Sequence, residues 1–176
     1  MNRVIVYHSK YGSTKKFAKW LGKMLNCSVY HRKLVTIEQL EGYDCIIYGG
    51  PIYAGHVNGL DIFTRYQQQL ENKKLVVFTC GLSDPSLQDV IETRNSEVQA
   101  QLKSLYDYVK VFHLRGAIDY KKLQLSHRIV MHFIHRLQSS DTSSNDKKIV
   151  ATYNKSVDFT NQEQLIPIVE YVNQLK

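Results

Sequence analysis

The chain opens with an apolar run, Arg3-Val4-Ile5-Val6-Tyr7, which leads into a glycine-containing loop, Ser9-Lys10-Tyr11-Gly12-Ser13-Thr14. Successive apolar residues indicate a strand that is covered on both faces. Residues 14–25 then repeat apolar side chains at helical spacing. A strand, a loop and a helix in this order predict the first unit of a doubly wound α/β sheet.

Short runs of the same character recur along the chain and alternate with amphipathic segments. We expect five strands, at 3–8, 28–34, 43–49, 74–80 and 109–114. Helices are expected at 14–25, 60–70, 86–105 and 162–175, with Pro167 in the first turns of the last one. Strands that are separated by helices predict a parallel sheet.

Residues 117–148 do not fit this minimal plan and form an insertion between the fifth strand and the closing helix. Its middle, 123–137, predicts a basic amphipathic helix. The apolar stripe holds Leu125, Ile129, Phe133 and Leu137, and the opposite face holds His127, Arg128, His135 and Arg136. Residues 139–146 have the composition of a loop. We therefore expect one domain, 1–176, that carries one insertion.

Composition sets limits on location and partners. The chain has 176 residues, is 43% hydrophobic and carries a formal net charge of +7, so a single globular domain that attracts acidic partners or anionic lipid is expected. We expect no nucleic-acid partner, because no basic run is interleaved with aromatic residues. Without a signal peptide or a long apolar run, a cytoplasmic protein is expected, with at most peripheral contact with an anionic membrane. The odd set Cys27, Cys45 and Cys80 has no metal-ligand spacing and indicates reduced, buried thiols.

Three loops follow strands whose carboxyl ends share one edge of the predicted sheet, where ligands of such sheets bind. Loop one, 9–14, places hydroxyls and a glycine at a helix start, which favours a phosphate site over the alternative of a plain helix cap. Loop two, 49–56, combines glycines, a proline and Tyr53, and could cover a planar ring or form an ordinary turn. Loop three, 79–85, offers backbone groups to a flat polar edge, although Asp84-Pro85 could instead only start a helix.

The residues of these three loops resemble the loop motifs of a known family. Ser9-x-x-Gly12-x-Thr14, Gly49-Gly50-Pro51-Ile52-Tyr53-Ala54-Gly55 and Cys80-Gly81-Leu82 resemble the flavodoxin family along nearly the whole chain. The resemblance implies strand order 2-1-3-4-5 and an FMN cofactor. It assigns the phosphate to Ser9, Lys10, Tyr11, Gly12, Ser13 and Thr14, and the isoalloxazine ring to Pro51, Ile52, Tyr53, Ala54, Gly55, Cys80, Gly81 and Leu82. It also implies that the Ala54–Gly55 peptide flips towards the reduced ring.

Two features depart from the electron-shuttling flavodoxins, which are acidic: the positive charge and the insertion. Gly116-Ala117, followed by Asp119-Tyr120-Lys121-Lys122, is similar to the branch that contains bacterial menaquinone-dependent protoporphyrinogen dehydrogenases. That resemblance implies a quinone or a porphyrinogen as substrate. From the basic residues of the insertion, we expect the propionates of a porphyrinogen to meet Lys121, Lys122, Arg128 or Arg136.

Three functions are therefore compared. The first is an FMN-dependent oxidoreductase whose insertion forms a lid or a membrane-facing patch, and the second is an electron carrier that serves a redox partner protein. The third, a receiver-type regulator, needs acidic residues where the chain has Tyr7-His8-Ser9 and Gly49-Gly50-Pro51. The histidines show no metal-site pattern, and His56 alone lies beside a proposed flavin loop. No catalytic side chain is assigned, because the flavin carries the chemistry.

Overall fold

The parallel sheet of the computed structural model, which describes residues 1–53, 55–123 and 156–175, confirms the predicted order of strands. Its strands are β1 (Arg3–Tyr7), β2 (Ser28–His31), β3 (Cys45–Tyr53), β4 (His56–Val57), β5 (Lys74–Gly81) and β6 (Val109–Arg115). The order is β2-β1-β3-β5-β6, with β4 antiparallel to β3. Strand order reverses between β1 and β3, so their carboxyl ends border the crevice in which this topology binds ligands.

Two apolar layers cover the sheet. Along β1, Val4 and Val6 belong to one layer, whereas Ile5 and Tyr7 belong to the other. The first layer is completed by α2 (Ile37–Glu41), α3 (Asp61–Arg65), α4 (Gln67–Leu70) and α5 (Gln88–Leu102), and the second by α1 (Ser13–Leu25) and α6 (Ile166–Gln174). The continuous apolar runs of the strands follow from burial on both faces.

The structure differs from the sequence prediction at several element ends. The second strand stops at His31, because the His31 ring accepts a hydrogen bond from the Lys33 N–H at 3.2 Å and a 3₁₀ turn, Arg32–Leu34, begins. The predicted helix at 60–70 is two short helices, broken at Tyr66. Helix α2 was not predicted, and a capping box between Thr36 and Gln39 starts it.

The two later helices are bordered by 3₁₀ segments. Helix α5 is followed by Lys103–Tyr108, and α6 is preceded by Gln162–Leu165. Pro167 lies in the first turn of α6, where its missing N–H removes no helical hydrogen bond.

The insertion leaves and rejoins the domain at a two-stranded antiparallel ribbon. The ribbon consists of β7 (Ala117–Asp119) and β8 (Ser156–Asp158), with Ala117 opposite Asp158. Residues 124–155, which include nearly all of the predicted amphipathic helix and its basic face, lie outside the described residues. Within the described ranges, the helices are too short or too polar to cross a bilayer.

Candidate functional site

Loop one joins β1 to α1 through a left-handed glycine. Gly12 has a φ of +101°, and nothing lies within 4 Å of the position that a Cβ would take there. Its N–H donates to Ser9 Oγ at 3.2 Å. Among the described residues, no side chain caps the start of α1. The first N–H groups of this helix therefore lack helical acceptors, and together with the helix dipole they form a site suited to an anion.

The hydroxyls of Ser13 and Thr14 have protein partners. Ser13 Oγ accepts from the Ala117 N–H at 3.0 Å and lies 3.4 Å from the Ala117 carbonyl oxygen. Thr14 is 2% exposed, and a hydrogen bond joins its hydroxyl to the Cys80 thiol. Burial raises the pKa of that thiol to about 12. The backbone N–H groups, rather than these two hydroxyls, are thus the donors that loop one offers at the helix start.

The residues expected to form loop two are largely a strand. Strand β3 continues through Gly49, Gly50 and Pro51 to Tyr53, and Tyr53 pairs with His56 of β4 across a tight hairpin. The expected loop over 49–53 is therefore wrong. The hairpin turns at Gly55, which has a φ of +76°. Ala54 lies outside the described residues.

Loops one and two meet through aromatic side chains. The rings of Tyr11 and Tyr53 pack edge to face at 6.0 Å, and Lys10 Nζ lies 5.8 Å from the Tyr11 ring. Burial raises the pKa of Tyr53, so its phenol stays protonated near neutral pH. The cleft between the two loops has a volume of about 610 Å³. It is lined by His8, Ser9, Lys10, Tyr53, His56 and Asn58.

Positive charges lie near His8 of this cleft, and we call Lys10, Arg32 and Lys33 the cationic rim. The pKa of His8 is lowered, first by burial and then by electrostatic interaction with His31 and with the cationic rim. Arg32 is paired with Asp61 at 2.9 Å, and Lys10 lines the cleft. The site therefore favours an anionic ligand or partner.

Loop three is held from behind by two arginines. Arg115 Nε donates to the Leu82 carbonyl at 3.2 Å, and Arg115 Nη1 pairs with Asp84 at 2.7 Å. Arg94 Nη2 donates to the Ser83 carbonyl at 2.8 Å. The Gly81 carbonyl accepts from the Gly116 N–H at 2.7 Å. Four consecutive residues of the loop are therefore fixed by neighbours on α5, on β6 and just after it.

The base of the insertion lies against loop one. Besides the contact of Ala117 with Ser13, Lys16 Nζ of α1 pairs with Asp158 at 3.0 Å and bonds to Thr160 Oγ1 at 2.7 Å. The Phe159 N–H donates to the Gly116 carbonyl at 3.2 Å. The ribbon is therefore joined to the same helix start that offers the anion site.

The family model of the flavodoxin domain matches residues 4–145, which is most of the chain. The chain belongs to the flavodoxin family. Similar solved structures include a flavodoxin, WrbA-like protein from Agrobacterium tumefaciens, at 17% identity over 99% of both chains with a TM-score of 0.48. Two-electron reduced Megasphaera elsdenii flavodoxin is 16% identical over 64% of this chain and 83% of its own, with a TM-score of 0.44. A Lactobacillus acidophilus flavoprotein in complex with FMN is 16% identical over 65% and 91%, with a TM-score of 0.41. No protein of curated function matches this sequence.

Membership of this family identifies FMN as the cofactor, and the residues present fit it. The uncapped helix start beside Gly12 suits the phosphate, because its N–H groups converge next to open space. The neighbouring cleft of about 610 Å³ lies within the range of small-molecule sites. The predicted ring residues of loops two and three lie at the carboxyl ends of the adjacent strands β3 and β5.

The Gly12→Ala variant tests the phosphate assignment. A Cβ at a φ of +101° is strained whatever the space around it, so the backbone should shift and misalign the N–H groups of α1. We expect FMN to bind about tenfold more weakly, an effect of about 1.4 kcal/mol. Riboflavin, which lacks the phosphate, should lose much less affinity. Fluorescence titration of both flavins measures this difference, and an equal loss for the two would contradict the assignment.

Sequence reasoning missed Arg94, Asn58 and the hydrogen-bonded ring of His113. The sequence does contain a signal for Arg94. It shares the buried stripe of α5 with Val90, Val98 and Leu102, where a charged residue is unexpected. His113 and Asn58 had none, since their partners are distant in the sequence.

Proposed function

We propose that this chain is an FMN-dependent oxidoreductase that passes electrons to or from a quinone or a porphyrinogen-type substrate. The observation that carries the proposal is the cationic rim beside the cleft between loops one and two. A porphyrinogen bears propionate carboxylates, which such a rim attracts. Electron-shuttling flavodoxins have the opposite charge, so a basic site favours an anionic substrate over their basic partners.

The chain's own residues would hold and orient the reactants. The N–H groups at the start of α1 would bind the FMN phosphate. Tyr53 would cover one face of the ring, and the backbone of loop three would meet its polar edge. Lys10 and Lys33 would orient a carboxylate of the substrate. FMN supplies the transfer of a hydride or of single electrons.

We also propose that the protein meets its quinone, or a redox partner protein, at an anionic membrane surface. Lys121 and Lys122 follow β7, and the Lys122 side chain is 80% exposed. Lysines of this kind are attracted to anionic lipid.

The absorption spectrum of the purified protein, with FMN added, is the first test. We expect a flavin spectrum and binding at micromolar FMN or below. Reduced protein should then be reoxidised by menadione, and protoporphyrinogen IX should reduce the oxidised protein under anaerobic conditions. A protein that binds FMN but exchanges electrons with neither compound would contradict the substrate assignment and favour an electron carrier.

A pair of charge reversals tests the cationic rim. Lys33→Glu should raise the KM for protoporphyrinogen about tenfold while kcat changes little, because the substrate carboxylates lose an attracting charge. Lys74→Glu is the matched control, since Lys74 is exposed at the start of β5, at the opposite end of the sheet. Equal effects of the two variants would show that only net charge matters. Added salt should weaken the effect of Lys33→Glu.

A further inference from the structure

Arg94 is a buried cation directly behind loop three. It is 4% exposed and lies on the core-facing stripe of α5. Burial lowers its pKa, but a guanidinium stays protonated in proteins. Gly81 leaves room for it, because a Cβ at Gly81 would lie 2.6 Å from Arg94 Nη2. The glycine of loop three and the arginine of α5 therefore form one packed unit.

The direct hydrogen-bond partners of Arg94 are carbonyl oxygens, whereas the nearby carboxylates act on its charge from a longer distance. Nη1 donates to the Leu114 carbonyl at 3.2 Å, and Nη2 donates to the Ser83 carbonyl at 2.8 Å. Within residues 1–53, 55–123 and 156–175, no carboxylate lies within 4.0 Å of Arg94. Asp84, the carboxylate of loop three, pairs with Arg115 at 2.7 Å, and the charges of Asp84 and Glu97 act on Arg94 from beyond 4.0 Å.

Burying a guanidinium that has no carboxylate within 4.0 Å is an energetically costly way to hold loop three in place. Taking a charge out of water costs several kcal/mol unless an opposite charge compensates it. A neutral side chain could support the Ser83 carbonyl with a smaller desolvation penalty. A positive charge held at this position also stabilises a negative charge that arrives at loop three.

The contact of Arg115 with loop three orients a backbone donor of the loop. In a trans peptide the C=O and the following N–H point in opposite directions. Because Arg115 holds the Leu82 carbonyl, the Ser83 N–H points away from Arg115. The backbone donor of Ser83 therefore lies on the side of loop three opposite this arginine.

We propose that Arg94 sets the redox potential of the bound flavin by favouring its reduced form. This inference rests on the proposed placement of the flavin ring against loop three. Uptake of two electrons and one proton adds one negative charge to the flavin, and a nearby buried cation stabilises that charge more than it stabilises the neutral ring. Arg94 is a positioning residue, because it contacts the backbone of loop three, and its charge acts on the flavin across that loop.

The test compares Arg94→Gln with Arg94→Lys, each loaded with FMN. Arg94→Gln should weaken binding of reduced FMN about tenfold more than binding of oxidised FMN, which lowers the two-electron midpoint potential by ~30 mV. Arg94→Lys keeps the charge and should retain most of the wild-type potential. Both affinities and the potential are measured by anaerobic titration with redox dyes. Equal losses of affinity for oxidised and reduced FMN would show that Arg94 only holds loop three in place, and they would overturn the inference.

Glu97 provides a second variant that does not disturb loop three. Its charge acts on Arg94, and its carboxylate lies beside Gly55 of the β3–β4 hairpin. Glu97→Gln should therefore raise the potential, the opposite direction to Arg94→Gln, when measured at about pH 8, where the wild-type carboxylate is ionised. An unchanged potential in Glu97→Gln would overturn the inference even if Arg94→Gln failed to fold. Failure of the wild type to bind FMN would overturn the proposed function as well, whereas unmoved potentials on bound FMN overturn the inference alone.

Discussion

Gly49→Ala is expected to destabilise the fold by about 3 kcal/mol, the upper end for overpacking a core. A Cβ at Gly49 would lie 2.7 Å from both Cε atoms of the Phe78 ring and closer still to its Cζ. Phe78 is fully buried in the layer beneath α1 and α6, so its ring has no free space to move into. The added methyl therefore forces the backbones of β3 and β5 apart at the point where they approach the site.

Urea denaturation with Gly42→Ala as the matched control measures this effect. At Gly42, which has a φ of −74°, the nearest atom to a Cβ is 3.6 Å away, an ordinary contact. We expect the control to be close to the wild type in stability. Replacing the ring in Gly49→Ala/Phe78→Leu should restore part of the loss, with a coupling energy of about 1 kcal/mol or more. A Gly49→Ala protein as stable as the control would contradict the packing described for the two strands.

Acidification from pH 7 to pH 4 is expected to remove up to about 3 kcal/mol of stability through His113 alone. Its Nε2 donates to Asn95 Oδ1 at 3.0 Å, which leaves Nδ1 to accept from the Thr79 hydroxyl at 2.7 Å. A second proton would break the bond from Thr79 and place a charge near Arg94. Burial, and then Arg94, lower the pKa of His113 from 6.5 to about 4.

The sign follows from proton binding. Between pH 6.5 and 4 the unfolded chain carries a proton on this imidazole that the folded chain does not, so stability falls as the pH falls. The contribution is complete above pH 6.5 and is lost by the time the pH reaches about 4.

His113→Gln should show a smaller fall in stability over the same range. Urea unfolding at several pH values between 7 and 4 gives both slopes, and an NMR titration of the imidazole gives the pKa directly. His56→Gln, at an exposed position on β4, is the matched histidine substitution against which the slope of His113→Gln is compared. A His113 pKa near 6.5 would contradict the buried network.

The sheet was predictable because its information is local. Each inner strand, β1, β3 and β5, is a short run that is buried on both faces and therefore apolar, and such runs are visible one at a time. The helix at 14–25 was equally readable, since Phe17, Ala18 and Leu21 recur at helical spacing and are buried. Element ends were less predictable, because the side chain of His31 and the backbone of Tyr66 decide two of them.

The site was only partly predictable, because several of its determinants are tertiary. Gly49 and Gly50 suggested a loop, yet they are strand residues that make room for Phe78 and for Val57. No local pattern distinguishes a glycine required by a turn from one required by a neighbouring side chain. The pairing of Arg115 with Asp84 likewise joins residues that lie far apart in the sequence.

The ribbon of β7 and β8 joins the insertion to the helix start that we propose as the phosphate site. Ala117 and Asp158 hold Ser13 and Lys16, which belong to the first turn of α1, where we propose that the phosphate binds. A molecule that pulls the ribbon away from that turn must therefore change FMN affinity, and FMN must change the affinity for that molecule by the same factor. FMN binding and binding of such a molecule at the insertion would therefore affect each other equally, even without contact between FMN and that molecule.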